Sequence, residues 1–363
     1  MQKNRRLTLG LLLVLITLGL AACGRATENA DTPYAPTPTY APSTATPTTT
    51  PLEISPIPLP YPVDPAQDNR IHGALHRVEY GGNVAYIFGT LHGGRPYWFP
   101  LADAVEEALA RADVIAVEIA EVGESAAAME AAVMAVTFLP DGATWRDILP
   151  DEHYDHMVEM MTMHWGINYA NVNTMNPSML VTQLMMQIAL MFADNFDVDF
   201  YATVDSYIAQ IAAQRGLPII GLESAQQQVE IMFNPPHEVM LAQIMQLQDP
   251  MDMINEFIDS GELTLDQIAH YYQQNDFTPI LRSLALSVYD DCLYIFYTNA
   301  IVHNWRSTYY ANEIKRLLRE TEEPTTFFVA VGLSHVIRSQ AHHSLTDIIQ
   351  QLQLAGLNPV PLY

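Results

Sequence analysis

Cysteine is nearly absent from this 363-residue chain: Cys23 and Cys292 are the only two. Cys23 falls in a leader motif, which leaves no pair for a disulfide framework, so stability has to come from an apolar core. Cations are scarce as well. There are 16 Lys and Arg against 41 Asp and Glu, a formal charge of −25. Such a surface repels phosphate backbones and anionic headgroups, which argues against nucleic acid as a partner. Familiar catalytic signatures are missing too. No Gly-x-Ser-x-Gly elbow, His-Glu-x-x-His, P-loop or dinucleotide fingerprint occurs anywhere in the chain, so serine-hydrolase and nucleotide-dependent chemistry have no foothold here.

What the chain does have begins at its first residue. "MQKNRR" is basic, "LTLGLLLVLITLGL" is an apolar run of signal-peptide length, and "LAAC" closes it at Cys23. The run is short and ends in small residues, which reads as a secretory signal over residues 1–22 and not as a spanning helix. Leu-Ala-Ala-Cys resembles a bacterial lipobox, which implies cleavage before Cys23 and acylation of its thiol, two chains being enough for stable anchoring. Loss of Lys3, Arg5 and Arg6 with the signal would take the charge from −25 to −28. From Cys23 to Asn69 Pro and Thr recur with few large apolar residues. That stretch cannot bury enough surface to fold and reads as an extended spacer that lifts the remainder, 70–363, off a membrane.

The folded part carries its strand signals at its two ends. "ALHRVEY" and "VAYIFG" around "GGN" read as a hairpin. "PLADAVEEALARA" is helical with Pro100 suiting the first turn, and "DVIAVEIAE" returns to a short buried strand ending near Glu118. About 126–200 is a Met-rich helical insertion, expected to be a buried layer in which Met fills irregular gaps, the competing expectation being an adaptable groove for unstructured peptide. "TVDSYIAQIAAQRG" is a helix stopped by Gly216, and "LPIIGLES" is a strand reaching Glu223. Helices follow, including a long one over about 283–320, before "TTFFVAVG", the helix "SLTDIIQQLQLAG" and an edge in "NPVPLY". The fold class expected is α/β: a central sheet built from both ends of the chain, with flanking helices and the large helical insertion.

Two strand ends share a device. "YIFGTLH" and "VAVGLSH" both run apolar, glycine, two residues, histidine, ending at His92 and His335. Glu118 and Glu223 close the intervening strands. Ligands in open α/β sheets sit beyond the carboxyl ends of strands. Gly89 and Gly332 are expected to let the backbone turn and approach a ligand closely. Two imidazoles with one or two carboxylates are a sound ligand set for a divalent metal, which would activate water and polarise a carbonyl. Other candidates are weaker. His153 and His156 have helical i, i+3 spacing on an otherwise surface-like segment, His342 and His343 diverge on any helix, and Cys292 reads as a core thiol within "CLYIFY".

At these residues the sequence resembles the TraB/PrgY/GumN family, whose animal relatives are the membrane-tethered Tiki metalloproteases. "LHRVEYGGNVAYIFGTLH" is similar to the family's opening hairpin, with His76 where tryptophan is common, and "PLADAVEEALARADVIAVEI" to the helix and glutamate strand that follow. "ATWRDILPDEHY", "MNPSMLVTQL", "TVDSYIAQIAAQRGLPIIGLESAQQQ" and "GELTLDQI" are similar to its later blocks, and "FFVAVGLSHV" resembles its closing motif. The resemblance implies an erythromycin-esterase/ChaN-like fold and metal-dependent peptide hydrolysis. It maps the family histidines onto His92 and His335 and the acidic strand-end residue onto Glu118. The family's Arg-Asn pair falls at Arg306-Ser307, a departure expected to touch substrate positioning more than the metal shell.

The expected function is a lipid-anchored, extracytoplasmic metal-dependent hydrolase acting on peptides or surface proteins. His92 and His335 would ligate Mn²⁺, Zn²⁺ or Co²⁺, Glu118 would be ligand or base, Glu223 would complete or orient the shell, and Arg306 would stabilise a developing oxyanion. The main competing expectation is a lipoprotein that sequesters peptide or haem without turnover, and a third is a surface scaffold whose site is vestigial.

Overall fold

The computed structural model describes residues 70–71, 73–95, 98–120, 124–185, 203–250, 252, 272, 297–337 and 346–362. The leader, Cys23, the Pro/Thr-rich stretch, Cys292, His342 and His343 lie outside these, as do the end of the expected insertion, most of the helices expected in "PMDMINEFIDSG" and "LTLDQIAHYYQQ", and the first part of the long helix expected over about 283–320. Among the described residues no helix is long and apolar enough to cross a membrane.

The first strands form the expected hairpin. β1 (Leu75–Tyr80) pairs antiparallel with β2 (Asn83–Thr90), Tyr80 opposite Asn83. Gly81 and Gly82 make the turn at φ of 62° and 97°. Both central residues of so tight a turn need positive φ, which glycine adopts without a Cβ clash. Asn83 belongs to the strand and not to the turn. Its side chain donates to the carbonyls of Leu318 and Thr321 and accepts from the Thr325 N–H, stitching the hairpin to the segment that enters β5.

α1 (Asp103–Ala110) starts later than Pro100, and Glu106 within it accepts the Leu101 N–H of the preceding segment. β3 (Val114–Val117) follows, leaving Glu118 just past its end. The helical layer comes next: α2 (Glu124–Thr137), the single turn α3 (Trp145–Ile148), α4 (Asp151–Glu159) continuing into a π-helical turn over Met160–His164, and a helical segment over 177–185. α5 (Val204–Arg215) ends at Gly216 in the left-handed conformation, as its sequence predicts. Then come β4 (Ile219–Gly221), α6 (Ala225–Phe233) and α7 (His237–Ile244). After a π-helical stretch over Thr298–Trp305 the chain enters α8 (Arg306–Glu320), β5 (Thr326–Gly332), α9 (Ile348–Leu354) and the two-residue β6 (Val360–Pro361).

The six strands among the described residues form one mixed sheet in the order β4-β3-β5-β2-β1-β6. β5, from the far end of the chain, lies between β3 and β2 and is parallel to both. The sheet is therefore an α/β sheet built from both chain ends. β2 and β5 read as nearly unbroken apolar runs because the parallel centre of the sheet is buried on both faces. Ile87, Phe88, Phe328 and Val329 are fully buried there, with α1, α5, α8 and α9 contributing Val105, Ile211, Ile314 and Leu352 to the same core.

The helical layer has a core of its own, formed by Trp145, Met157, Met161, Leu184 and Met185 together with Ile244 and Leu247 at the end of α7. Most of its methionines are buried, as gap-filling predicts, although Met163 at its edge is 77 % exposed. A third cluster, including Ile119, Met129, Met179 and Phe233, joins this layer to the end of β3.

Candidate functional site

The two Gly-x-x-His strand ends are neighbours. β2 and β5 run parallel and end at the same edge, with Gly89 opposite Val331 and Thr90 opposite Gly332. The motifs therefore sit side by side, one residue out of register. Each glycine is there for space. Neither has positive φ, so the expected turn freedom is not what the positions use. A Cβ on Gly89 would lie 2.8 Å from the Leu333 side chain and 3.1 Å from its backbone. A Cβ on Gly332 would lie 3.2 Å from Glu118 Oε1, 3.7 Å from His335 Cδ2 and 3.8 Å from His92 Nε2. The missing side chain of Gly332 thus leaves a recess bordered by both histidines and one glutamate.

Each imidazole is held at its Nδ1. His92 Nδ1 lies 3.0 Å from Asp205 Oδ2, in the first turn of α5. The carboxylate can only accept, so it fixes the proton on Nδ1 and turns Nε2 to the recess. Burial alone would lower the basicity of His92, but the Asp205 charge and hydrogen bond, helped by Glu118, carry it upward. His335 Nδ1 lies 2.8 Å from Ser307 Oγ. Burial pushes the His335 imidazole well down, against the opposing pull of Glu118.

α8 and the π-helical stretch before it bring His303, Arg306, Ser307 and Tyr310 to one wall, at i, i+3, i+4 and i+7. π-Helical turns recur where a helix has to aim side chains at a site. His303 stacks on His335 at 5.0 Å between centroids and 18° between planes, and its Nε2 is 2.9 Å from the Ser334 carbonyl. Tyr310 meets the same ring edge-on at 5.3 Å. Three side chains of one helical wall therefore hold the His335 ring.

Arg306 occupies the middle of a buried ionic triad. Its Nη2 donates to Glu118 Oε2 at 2.8 Å and to Glu223 Oε1 at 2.5 Å, and its Nε donates to Glu223 Oε2 at 3.3 Å. Glu223 Oε1 also accepts from Tyr310 at 2.8 Å and from Gln228 at 3.2 Å. Glu223 is thereby spent on Arg306 and its supports, and Glu118 is the carboxylate at the recess. Glu118 Oε1 accepts the Gly332 N–H at 2.7 Å. Desolvation would raise Glu118, but Arg306, His335 and His92 outweigh it and hold the carboxyl down at about 2. It stays ionised throughout the neutral range.

Of the residues singled out in the sequence, His92, Glu118, Glu223, Arg306 and His335 come together. His153 and His156 do not join them or form a pair: His156 Nε2 bonds the Leu247 carbonyl, and His153 Nδ1 is buried without a partner. The sequence reading missed Asp205, His303 and Tyr310 and gave Ser307 no contact with a candidate ligand. For three of them a signal existed, the i, i+4, i+7 spacing of His303, Ser307 and Tyr310 around Arg306. Asp205 carried none, since nothing local announces contact with a residue 113 positions away. Ser307, read as a departure bearing on substrate positioning, lies instead against His335.

The donor set fits a divalent metal by chemistry. Two imidazoles whose Nδ1 atoms are already hydrogen-bonded present Nε2, and an ionised carboxylate stands beside them. A carboxylate oxygen that accepts one N–H keeps a second lone pair. By formal charge the carboxylates of Glu118, Glu223 and Asp205 outnumber the Arg306 guanidinium, an excess that a dication would balance. The spacing is wider than ligation: among the described residues no three His, Cys, Asp or Glu side chains stand close enough to hold a metal ion.

Among curated proteins and among solved structures nothing matches the chain. The family model of TraB/PrgY/gumN matches residues 74–353, from the first hairpin to α9 and so across every residue of the site. That span covers most of the chain, and on it the protein belongs to the TraB/PrgY/gumN family.

Proposed function

We propose that the chain is a metal-dependent hydrolase, most simply a peptidase, held outside the cytoplasmic membrane by acyl chains on Cys23. One observation carries the catalytic part: His92 Nε2, Glu118 Oε1 and His335 Cδ2 all lie within 3.8 Å of a single point, the place a side chain on Gly332 would fill. The Tiki resemblance supplies the reaction class, and the leader supplies the location.

His92, His335 and Glu118 would hold the metal. When bound, such an ion supplies an acidified water and a polarised substrate carbonyl. The protein's own groups do the rest. Asp205 keeps the His92 proton on Nδ1, and Ser307, His303 and Tyr310 keep the His335 ring from turning. The Gly332 N–H and Arg306 fix Glu118 from two sides. A carboxyl held at about 2 is a poor proton acceptor at neutral pH, so Glu118 suits the role of ligand better than that of base. Arg306, engaged with both glutamates, serves the site first by orienting them, and Glu223 orients Arg306 in turn. The Pro/Thr-rich spacer would let the domain reach peptides or neighbouring surface proteins.

The test uses protein purified without chelator. Elemental analysis should find a divalent transition metal, and cleavage of an unstructured peptide should be lost on chelation and restored by Mn²⁺, Zn²⁺ or Co²⁺. His92→Ala and His335→Ala should abolish metal-dependent cleavage while retaining cooperative thermal unfolding. Wild-type rates in both variants, or cleavage indifferent to chelator, would refute the hydrolase. Incorporation of labelled acyl chains that survives Cys23→Ser would refute the anchor.

A further inference from the structure

We infer that Ser307 is the positioning residue of His335: its hydroxyl, hydrogen-bonded at Nδ1, leaves Nε2 as the nitrogen that would ligate a divalent cation. The inference deepens the metal-site reading and rests on it.

Ser307 is completely buried on the second residue of α8, and His335 is 4 % exposed. Their 2.8 Å contact is one of three constraints on the ring. The His303 stack fixes the plane of the imidazole, and the Tyr310 edge contact limits sliding within that plane. Neither distinguishes one nitrogen from the other. Ser307 does, because it meets the ring at Nδ1 alone. With Nδ1 at Ser307, the Cδ2–Nε2 side of the ring is left toward the recess, in agreement with the 3.7 Å between Cδ2 and the Cβ position of Gly332.

The two histidines are therefore set by different chemistry. Asp205 is an acceptor only and dictates one tautomer of His92. A serine hydroxyl accepts or donates, so Ser307 can hold His335 in either tautomer. Occupation of Nε2 by a cation would leave Nδ1–H as the sole form, with Ser307 Oγ as its acceptor. Hydrogen bonds of this kind to the distal nitrogen of a ligating histidine typically contribute ~10–100-fold in metal affinity. The site would then pair one rigidly assigned imidazole with one that is committed only on binding.

The experiment compares wild type, Ser307→Ala and Ser307→Thr, with Zn²⁺ as the diamagnetic probe and ¹⁵N-labelled histidine as the reporter. In wild type, Zn²⁺ should convert His335 to the Nδ1–H form with a slowly exchanging ring proton. Ser307→Ala should lose that protected proton and bind Zn²⁺ ~10–100-fold more weakly, while Ser307→Thr, which keeps the hydroxyl, should restore both. Wild-type Zn²⁺ affinity and an unchanged Nδ1 signal in Ser307→Ala would overturn the assignment. If wild type binds no divalent metal, the metal-site reading fails by itself. The metal-free ¹⁵N spectra then decide the role of Ser307, since a His335 tautomer balance indifferent to Ser307→Ala removes it.

Discussion

Glu118 and Arg306 stand 188 residues apart in the chain and meet at 2.8 Å, their side chains 8 % and 2 % exposed. A buried pair of this kind is maintained against a large desolvation cost, so removing one partner is worse than removing all. Arg306→Met strands Glu118 and Glu223 together and should destabilise the fold by about 3–5 kcal/mol. Arg306→Lys should recover little, because one ammonium cannot reproduce the Nε/Nη2 fork on Glu223. Combining Arg306→Met with Glu118→Gln and Glu223→Gln should regain most of the loss. Urea unfolding of the four proteins measures this, and a triple variant no more stable than Arg306→Met would contradict it.

The two motif glycines should respond differently to the same added methyl group. In Gly332→Ala the methyl enters the recess, 3.2 Å from Glu118 Oε1. Only a few tenths of an ångström of adjustment is needed, so melting should change little, whereas divalent-metal binding and any metal-dependent turnover should fall by about 10²-fold or more. Gly89→Ala meets the Leu333 backbone at 3.1 Å as well as its side chain, and overpacking there should cost about 1–3 kcal/mol of stability. Calorimetry alongside metal titration separates the two cases.

His76 offers a pH test away from the site. Burial between Ile87 on β2 and Pro361 on β6 lowers its imidazole from 6.5 to about 4. Below 6.5 the unfolded chain takes up a proton that the folded chain refuses until about pH 4, so stability must fall across that window as the medium is acidified. His76→Phe removes the group, and its melting temperature should drop less than that of wild type between pH 7 and pH 4. Parallel pH profiles would mean that His76 gains no proton on unfolding.

Much of the site was legible because its residues close strands. A residue just past the end of a strand in a parallel sheet is placed at one edge by the geometry of the strand itself, and His92, Glu118, Glu223 and His335 each occupy such a position. What the pattern could not state was how they divide the work. Both carboxylates looked like ligands. In three dimensions Glu223 is taken up by Arg306, Tyr310 and Gln228, and Glu118 alone borders the recess. The glycines were legible as necessary, yet for the wrong physical reason. Their use is the space beside them, which depends on Leu333, Glu118 and His92 and on no dihedral of their own.

The sequence by itself determined the hairpin, the α/β class, the acidic surface and the two histidine-bearing strand ends, because each follows from local periodicity, composition or turn chemistry. Only the tertiary structure decided that β5 inserts between β2 and β3, which sets the two Gly-x-x-His ends side by side. The same folding brings Asp205 and Ser307 to the outer nitrogens of those rings. Strand order and side-chain partnership across a hundred or more residues are settled by which surfaces bury together, and no short stretch of chain encodes that.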